Sequence, residues 1–117
     1  MSNSSLRLNL QDGSVSFQFT PTAAQHLKSQ LTDLVQQLKN AATITGTAGN
    51  RPTQQQPMEY QYTGDVFIEL FCNPNIWPSP FAAKVLVTVR DDRIRLTTEA
   101  ELPRIIEDIN QYLEQQS

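Results

Sequence analysis

A single cysteine, Cys72, and a single histidine, His26, are all the soft-ligand chemistry in the 117 residues. One cysteine excludes an internal disulfide, and without a Cys/His cluster the usual structural zinc arrangements fall away. The four glycines form neither a GxGxxG nor a Walker loop, so no phosphate-cradling fingerprint is present. No apolar run approaches the ~18 residues of a membrane-spanning helix, and MSNSSLRLNL lacks the cationic start and apolar core of a secretory leader. A soluble, cytoplasmic setting with no membrane partner is the expectation. The formal net charge of −3 gives no general attraction to nucleic acid, and the twelve scattered carboxylates contain no DxD-type run for a hard cation. No metal or other cofactor is expected.

What the chain does have is hydrophobic patterning at two periods. Its length suits a single domain, 1–117, able to bury roughly two-thirds of its unfolded surface. In LRLNL, Leu6, Leu8 and Leu10 share one side, as do Val15, Phe17 and Phe19 in VSFQF; Asp12-Gly13 between them predicts a β-hairpin with one buried face. Thr20 follows as an N-cap and Pro21 as the first helical residue, where its missing N–H costs nothing. Ala24, Leu27, Leu31, Leu34, Val35 and Leu38 then recur at helical spacing. This stripe can pack on a sheet, or serve as a seam for a homodimer. Residues 41–57, AATITGTAGNRPTQQQP, have no periodicity and read as a flexible loop. Thirteen glutamines, several in the predicted helix, reflect either compositional bias or an uncharged polar face that meets a partner.

From Met58 to Cys72 the even positions Met58, Tyr60, Tyr62, Val66, Ile68, Leu70 and Cys72 are apolar, broken only by Gly64. One long strand bent at Gly64 accounts for this parity; a hairpin with a three-residue loop preserves it equally. Either way Phe67 and Phe71 fall on the polar face. AKVLVTVRDDRIRLT reads as another hairpin, and a two-residue turn at Asp91-Asp92 sets Arg90 opposite Arg93, Val89 opposite Ile94 and Val87 opposite Leu96. A last helix carries Leu102, Ile105, Ile106, Ile109, Tyr112 and Leu113. Thr98 and Glu101 have capping-box spacing before it, although Pro103 favours a later start. The predicted architecture is α+β, a two-layer sandwich of a mainly antiparallel sheet with two helices on one face, in the order ββαβββα.

Candidate chemistry is sparse. Cys72 and His26, with Asn73 or Asn75 as orienting groups, are the one conceivable nucleophilic set, but Cys72 has the parity of the buried face, where a thiol acts as a small hydrophobe. Five of the nine cations lie between Lys84 and Arg104, and Arg90, Arg93 and Arg95 are placed on the outer sheet face with Phe67 and Phe71. Arginine and aromatic side chains on a sheet can hold single-stranded nucleic acid, yet Glu59 and Glu69 share that face and no RNP-type motif is present. The Pro-rich loop 73–83 carries Ile76, Trp77 and Phe81 on a stiffened backbone, which suits either a lid over Phe67 and Phe71 or the presentation of apolar anchors to a partner.

The expected function is a non-catalytic protein-interaction module, an adaptor, assembly factor or regulatory subunit. Its candidate contact residues are Phe67, Phe71, Ile76, Trp77, Phe81, Arg90, Arg93 and Arg95, and its partner is another protein or a second copy of the chain. A small thiol-dependent enzyme or a binder of a small apolar ligand is the alternative. Single-stranded nucleic-acid binding ranks third.

Overall fold

The computed structural model describes residues 4–44 and 56–115, and its elements are an α+β set of two antiparallel sheets and two helices. A two-stranded hairpin, β1 (Ser4–Leu10) and β2 (Gly13–Phe19), leads into helix α1 (Pro21–Ile44). Four strands follow, β3 (Met58–Thr63), β4 (Phe67–Cys72), β5 (Lys84–Arg90) and β6 (Arg95–Glu101), before helix α2 (Leu102–Gln115). Each strand of the second sheet pairs with its sequence neighbour, giving the order β3-β4-β5-β6.

The expected order ββαβββα holds, with the apolar segment 58–72 folded back on itself as the β3–β4 hairpin rather than bent as one strand. Thr63 pairs with Phe67, and the three-residue loop is closed by Gly64 N–H donating to Val66 O at 3.0 Å. A Cβ at position 64 would stand 2.7 Å from the outer end of the Tyr62 ring, so any larger residue there would oblige that ring to move. At the first hairpin Gly13 has φ 149°, a conformation L side chains rarely adopt.

Alternation decides which side of each strand is buried. Met58, Tyr60, Ile68, Leu70, Cys72, Val85, Val87, Val89 and Ala100 face inward and form one cluster with Leu6, Leu8, Phe17 and Phe19 of the hairpin and the stripes of both helices. The stripe Leu27, Leu31, Leu34 and Leu38 is therefore consumed within the chain and leaves no helical seam for a dimer. Thr20 caps α1 as expected: its Oγ accepts from Ala23 N at 3.1 Å and its carbonyl from Ala24 N at 2.9 Å. Helix α1 extends to Ile44, so residues 41–44 are helical rather than part of the predicted loop; the rest of that loop, 45–55, lies outside the described residues.

The first hairpin reaches from the β6 edge, where Gln11 N–H donates to Glu99 O at 3.0 Å, toward β3, where Phe19 packs edge-on against Tyr62 at 4.9 Å. Three hydrogen bonds to α2 hold it. The Tyr112 hydroxyl donates to Phe19 O at 2.9 Å, and Asp108, only 6 % exposed, accepts from Asn9 N at 2.8 Å and from Asn9 Nδ2 at 2.9 Å. The sequence pattern does not assign Asp108 this role. Its one signal is position, a carboxylate inside the stripe between Ile105 and Tyr112.

Two boundaries differ from expectation. β6 continues through Glu101, so Thr98 is a strand residue paired with Val87 and not a helix cap. α2 begins at Leu102, which leaves Pro103 in the first turn, where backbone N–H groups have no intrahelical acceptor to lose. The β5–β6 register is also shifted: Arg90 pairs with Arg95, Val89 with Leu96 and Val87 with Thr98. Asp91 causes the shift. Its carboxylate accepts from Arg93 N at 2.8 Å and Ile94 N at 2.9 Å while its own N–H donates to Ile94 O at 3.0 Å, which widens the loop to residues 91–94.

Candidate interaction surface

Both helices and the first hairpin lie on the inner side of the four-stranded sheet, and the outer side is left uncovered by any described residue. Register places its side chains in rows across the strands. One row reads Glu59, Phe71, Leu86, Glu99; the next Gln61, Glu69, Thr88, Thr97; the third Thr63, Phe67, Arg90, Arg95. Lys84 and Glu101 continue the face beyond the first row.

Phe71 and Leu86 form its apolar centre, with Leu86 42 % exposed and Phe71 half-buried. Thr88, between Glu69 and Thr97 in the middle row, is only 5 % exposed. At one end the Arg90 guanidinium lies 4.3 Å from the centre of the Phe67 ring, a cation–π contact that holds Phe67 against the sheet and offsets the repulsion between Arg90 and its cross-strand neighbour Arg95. At the other end Glu59, Glu99 and Glu101 are exposed. In the middle row Glu69 accepts from Gln61 Nε2 at 3.1 Å and so lies along the sheet.

The structure brings together Phe67, Phe71, Arg90 and Arg95 of the sequence-derived candidates, and separates the other four. Arg93 sits in the 91–94 loop instead of opposite Arg90, because the Asp91 turn takes two more residues than a two-residue turn would. The slip is an even number, so Arg95 takes the outer position intended for Arg93. The same even slip puts Ile94 in the loop, 64 % exposed.

Trp77 is half-buried and packs against the core cluster to which Cys72 belongs. Cys72 ends β4 pointing inward, so the loop leaves toward the helix side and carries Trp77 with it. The loop therefore does not lie over Phe67 and Phe71 as a lid. Asn73 starts it, its Oδ1 accepting from Asn75 N at 3.0 Å, and its end is tied by Leu102 N–H donating to Ala83 O at 3.0 Å. Ile76 and Phe81 remain exposed, Phe81 to 86 %. Phe81 and Pro80 flank a groove of about 450 Å³ with Val35 of α1 and Leu102, Pro103 and Ile106 of α2, on the opposite side of the molecule from Phe67.

The Cys72–His26 pair is not assembled. His26 is exposed on α1 with its ring against Tyr60, centroids 5.9 Å apart, while Cys72 is 2 % exposed and burial pushes its thiol up to about 11. Such a thiol is almost wholly protonated at neutral pH and is a poor nucleophile. Burial likewise raises the Tyr60 hydroxyl to about 12, its coulombic neighbour Tyr62 adding to the effect. No three of His, Cys, Asp and Glu gather at metal-binding distance among the described residues, and no helix among them is long and apolar enough to cross a membrane. Neither a known protein family, nor a curated protein, nor a solved structure matches the chain.

Proposed function

We propose that the chain is a non-catalytic protein-interaction module, an adaptor, assembly factor or regulatory subunit, that binds a protein through the outer face of its four-stranded sheet. The carrying observation is the uncovered Phe71–Leu86 centre with charge at both ends. A sheet face with one buried and one solvated side ordinarily alternates apolar with polar residues. Here two phenylalanines and a leucine occupy solvent-side positions, and an apolar centre within a charged rim is the usual anatomy of a protein interface. A reducing, cytoplasmic setting suits the buried free thiol of Cys72.

The four acidic side chains on the same face weigh against single-stranded nucleic acid, since a phosphate backbone would meet Glu59, Glu69, Glu99 and Glu101 as well as Arg90 and Arg95. The buried, protonated thiol weighs against the cysteine enzyme. One observation favours a second reading, binding of a small apolar ligand: the groove between α1, the start of α2 and Pro80–Phe81 is apolar over most of its lining.

The test compares the two surfaces. Phe71→Ser with Leu86→Ser, in a chain with unchanged circular dichroism, abolishes self-association and recovery of bound protein from the native source, whereas Phe81→Ser leaves both intact. Unchanged association in the sheet-face variant, with loss in the Phe81 variant, sinks this reading and moves the binding site to the helix groove.

A further inference from the structure

The outer face is sorted by charge along its strands. Arg90 and Arg95 stand at one end and Glu59 and Glu99 at the other, where the oppositely charged Lys84 and Glu101 lie side by side beyond them; Phe67 is in the basic row and Phe71 and Leu86 are in the acidic row. This polarity is self-complementary. The geometry points to a second copy of this chain as the partner, docked face to face about a twofold axis that runs midway between the two outer faces, parallel to the sheets and across the strands over Thr88, and so reverses the strand direction of one copy against the other. The inference rests on the reading of the outer face as the interaction surface.

A rotation about that axis keeps each strand over its own counterpart and exchanges the basic and acidic rows. Arg95 of one copy then faces Glu99 of the other, Phe67 faces Phe71, and the aliphatic stem of Arg90 lies over Leu86; every contact occurs twice, as in any isologous interface. Rotation about an axis parallel to the strands instead brings β6 over β3 and sets Glu99 against Glu59, while Arg90 and Arg95 meet no carboxylate. Charge thus selects one of the two alignments. Aligned packing of two antiparallel sheets is compatible with their twist.

Glu69 supplies a second mark of this register. It stands in the middle row, so it faces its own copy across the axis, and its bond from Gln61 Nε2 turns it along the sheet rather than across the gap. It is the one like-charge contact that the arrangement creates. Four strands ~4.8 Å apart and about seven residues long present roughly 400–500 Å² in projection, which sets this dimer among weak, reversible associations rather than obligate ones.

Sedimentation velocity from about 5 to 500 µM reads the outcome in the purified chain. The wild type shows reversible dimerisation; Arg95→Glu and Glu99→Arg each weaken it by about tenfold or more; an equimolar mixture of the two variants, and the double variant R95E/E99R, recover it. Arg95 and Glu99 are four residues apart on one strand, so recovery cannot come from within a single copy. Glu69→Gln strengthens the dimer by a few-fold. A dimer that the mixture fails to recover overturns the strand-reversing register. A wild-type chain that stays monomeric throughout, while Phe71→Ser abolishes binding of a different protein, overturns the second-copy inference but leaves the outer-face reading standing. Monomeric behaviour combined with no effect of Phe71→Ser on any association ends both.

Discussion

The two sides of the four-stranded sheet are built from the same strands and carry comparable numbers of large apolar side chains at β4, yet they do opposite things. Inward, Ile68, Leu70 and Cys72 are sealed beneath two helices and a hairpin. Outward, Phe67 and Phe71 alternate with them on the same strand and meet only neighbours on the sheet. The difference lies in what stands over each face, and it shows that apolar content alone does not identify a core. Cover does, and the outer face has none among the described residues.

The sharpest way to break the comparison is to truncate adjacent residues of β4. Leu70→Ala, at 0 % exposure, removes fully buried methyl groups and leaves a cavity, costing about 3 kcal/mol in chemical denaturation. Phe71→Ala, measured below the association range, costs about 1 kcal/mol because its ring is only partly buried and lies on the solvent side of the sheet. Equal costs would mean that the outer face is core by another name.

Asp108→Ala comes next, at about 2–3 kcal/mol, because it leaves the part-buried Asn9 N–H without its acceptor and leaves the Tyr112–Phe19 hydrogen bond alone to tie the first hairpin to α2. Hydrogen exchange should accelerate across β1 and β2 while the outer face of β4 and β5 keeps its protection. Uniform acceleration would instead make the hairpin and the sheet one cooperative unit.

Smaller, and confined to alkaline solution, is the effect of Cys72. Its folded pKa is raised from 9.0 to about 11, so the unfolded chain loses the thiol proton first; the contribution is whole below pH 9 and is lost as pH rises toward about 11. Cys72→Ala should flatten the stability loss across that window, and a thiol reagent should label the wild type at neutral pH only after denaturant is added. Rapid labelling of the native protein would reopen the inner face to chemistry.

The smallest effect is local. Asp91→Ala removes the acceptor that widens the β5–β6 loop, so the Arg93 and Ile94 amides exchange faster while the remainder of the sheet is unaffected. Those same bonds hold the Asp91 carboxyl below its usual range. The protection they give is therefore complete above the ordinary carboxylate pKa and is lost as pH falls through the lower folded one. Exchange that ignores this substitution would mean that the register is set elsewhere.

Much of the inner face was legible because periodicity and burial have the same cause. Leu6, Leu8, Phe17 and Phe19, and the stripe from Ala24 to Leu38, are spaced for one side of a strand or helix and are buried there. The 58–72 segment was legible in its parity but not in its path, since a bend and a three-residue hairpin put the same side chains on the same face. Backbone pairing of Thr63 with Phe67, closed by Gly64 N–H on Val66 O, distinguishes the two. Arg93 was misplaced because side-chain alternation is blind to a slip of two, and only the Asp91 hydrogen bonds distinguish the registers. Trp77 was beyond reach of pattern, because a loop has no period to say which way its residues turn.

The amino-acid order by itself determined the elements and the buried side of nearly all of them, since alternation at two residues and recurrence at three and four are local geometry. It also placed Phe67 and Phe71 on the solvent side of β4. Tertiary structure alone decided that the first hairpin would join the two helices on one side of the four-stranded sheet, that Asp108 would pin it there, and that Trp77 would pack against the core. These depend on contacts between segments far apart in the chain, and the same contacts left the opposite face open, with Glu59, Glu99 and Glu101 toward one end, Glu69 in the middle and Arg90 and Arg95 at the other.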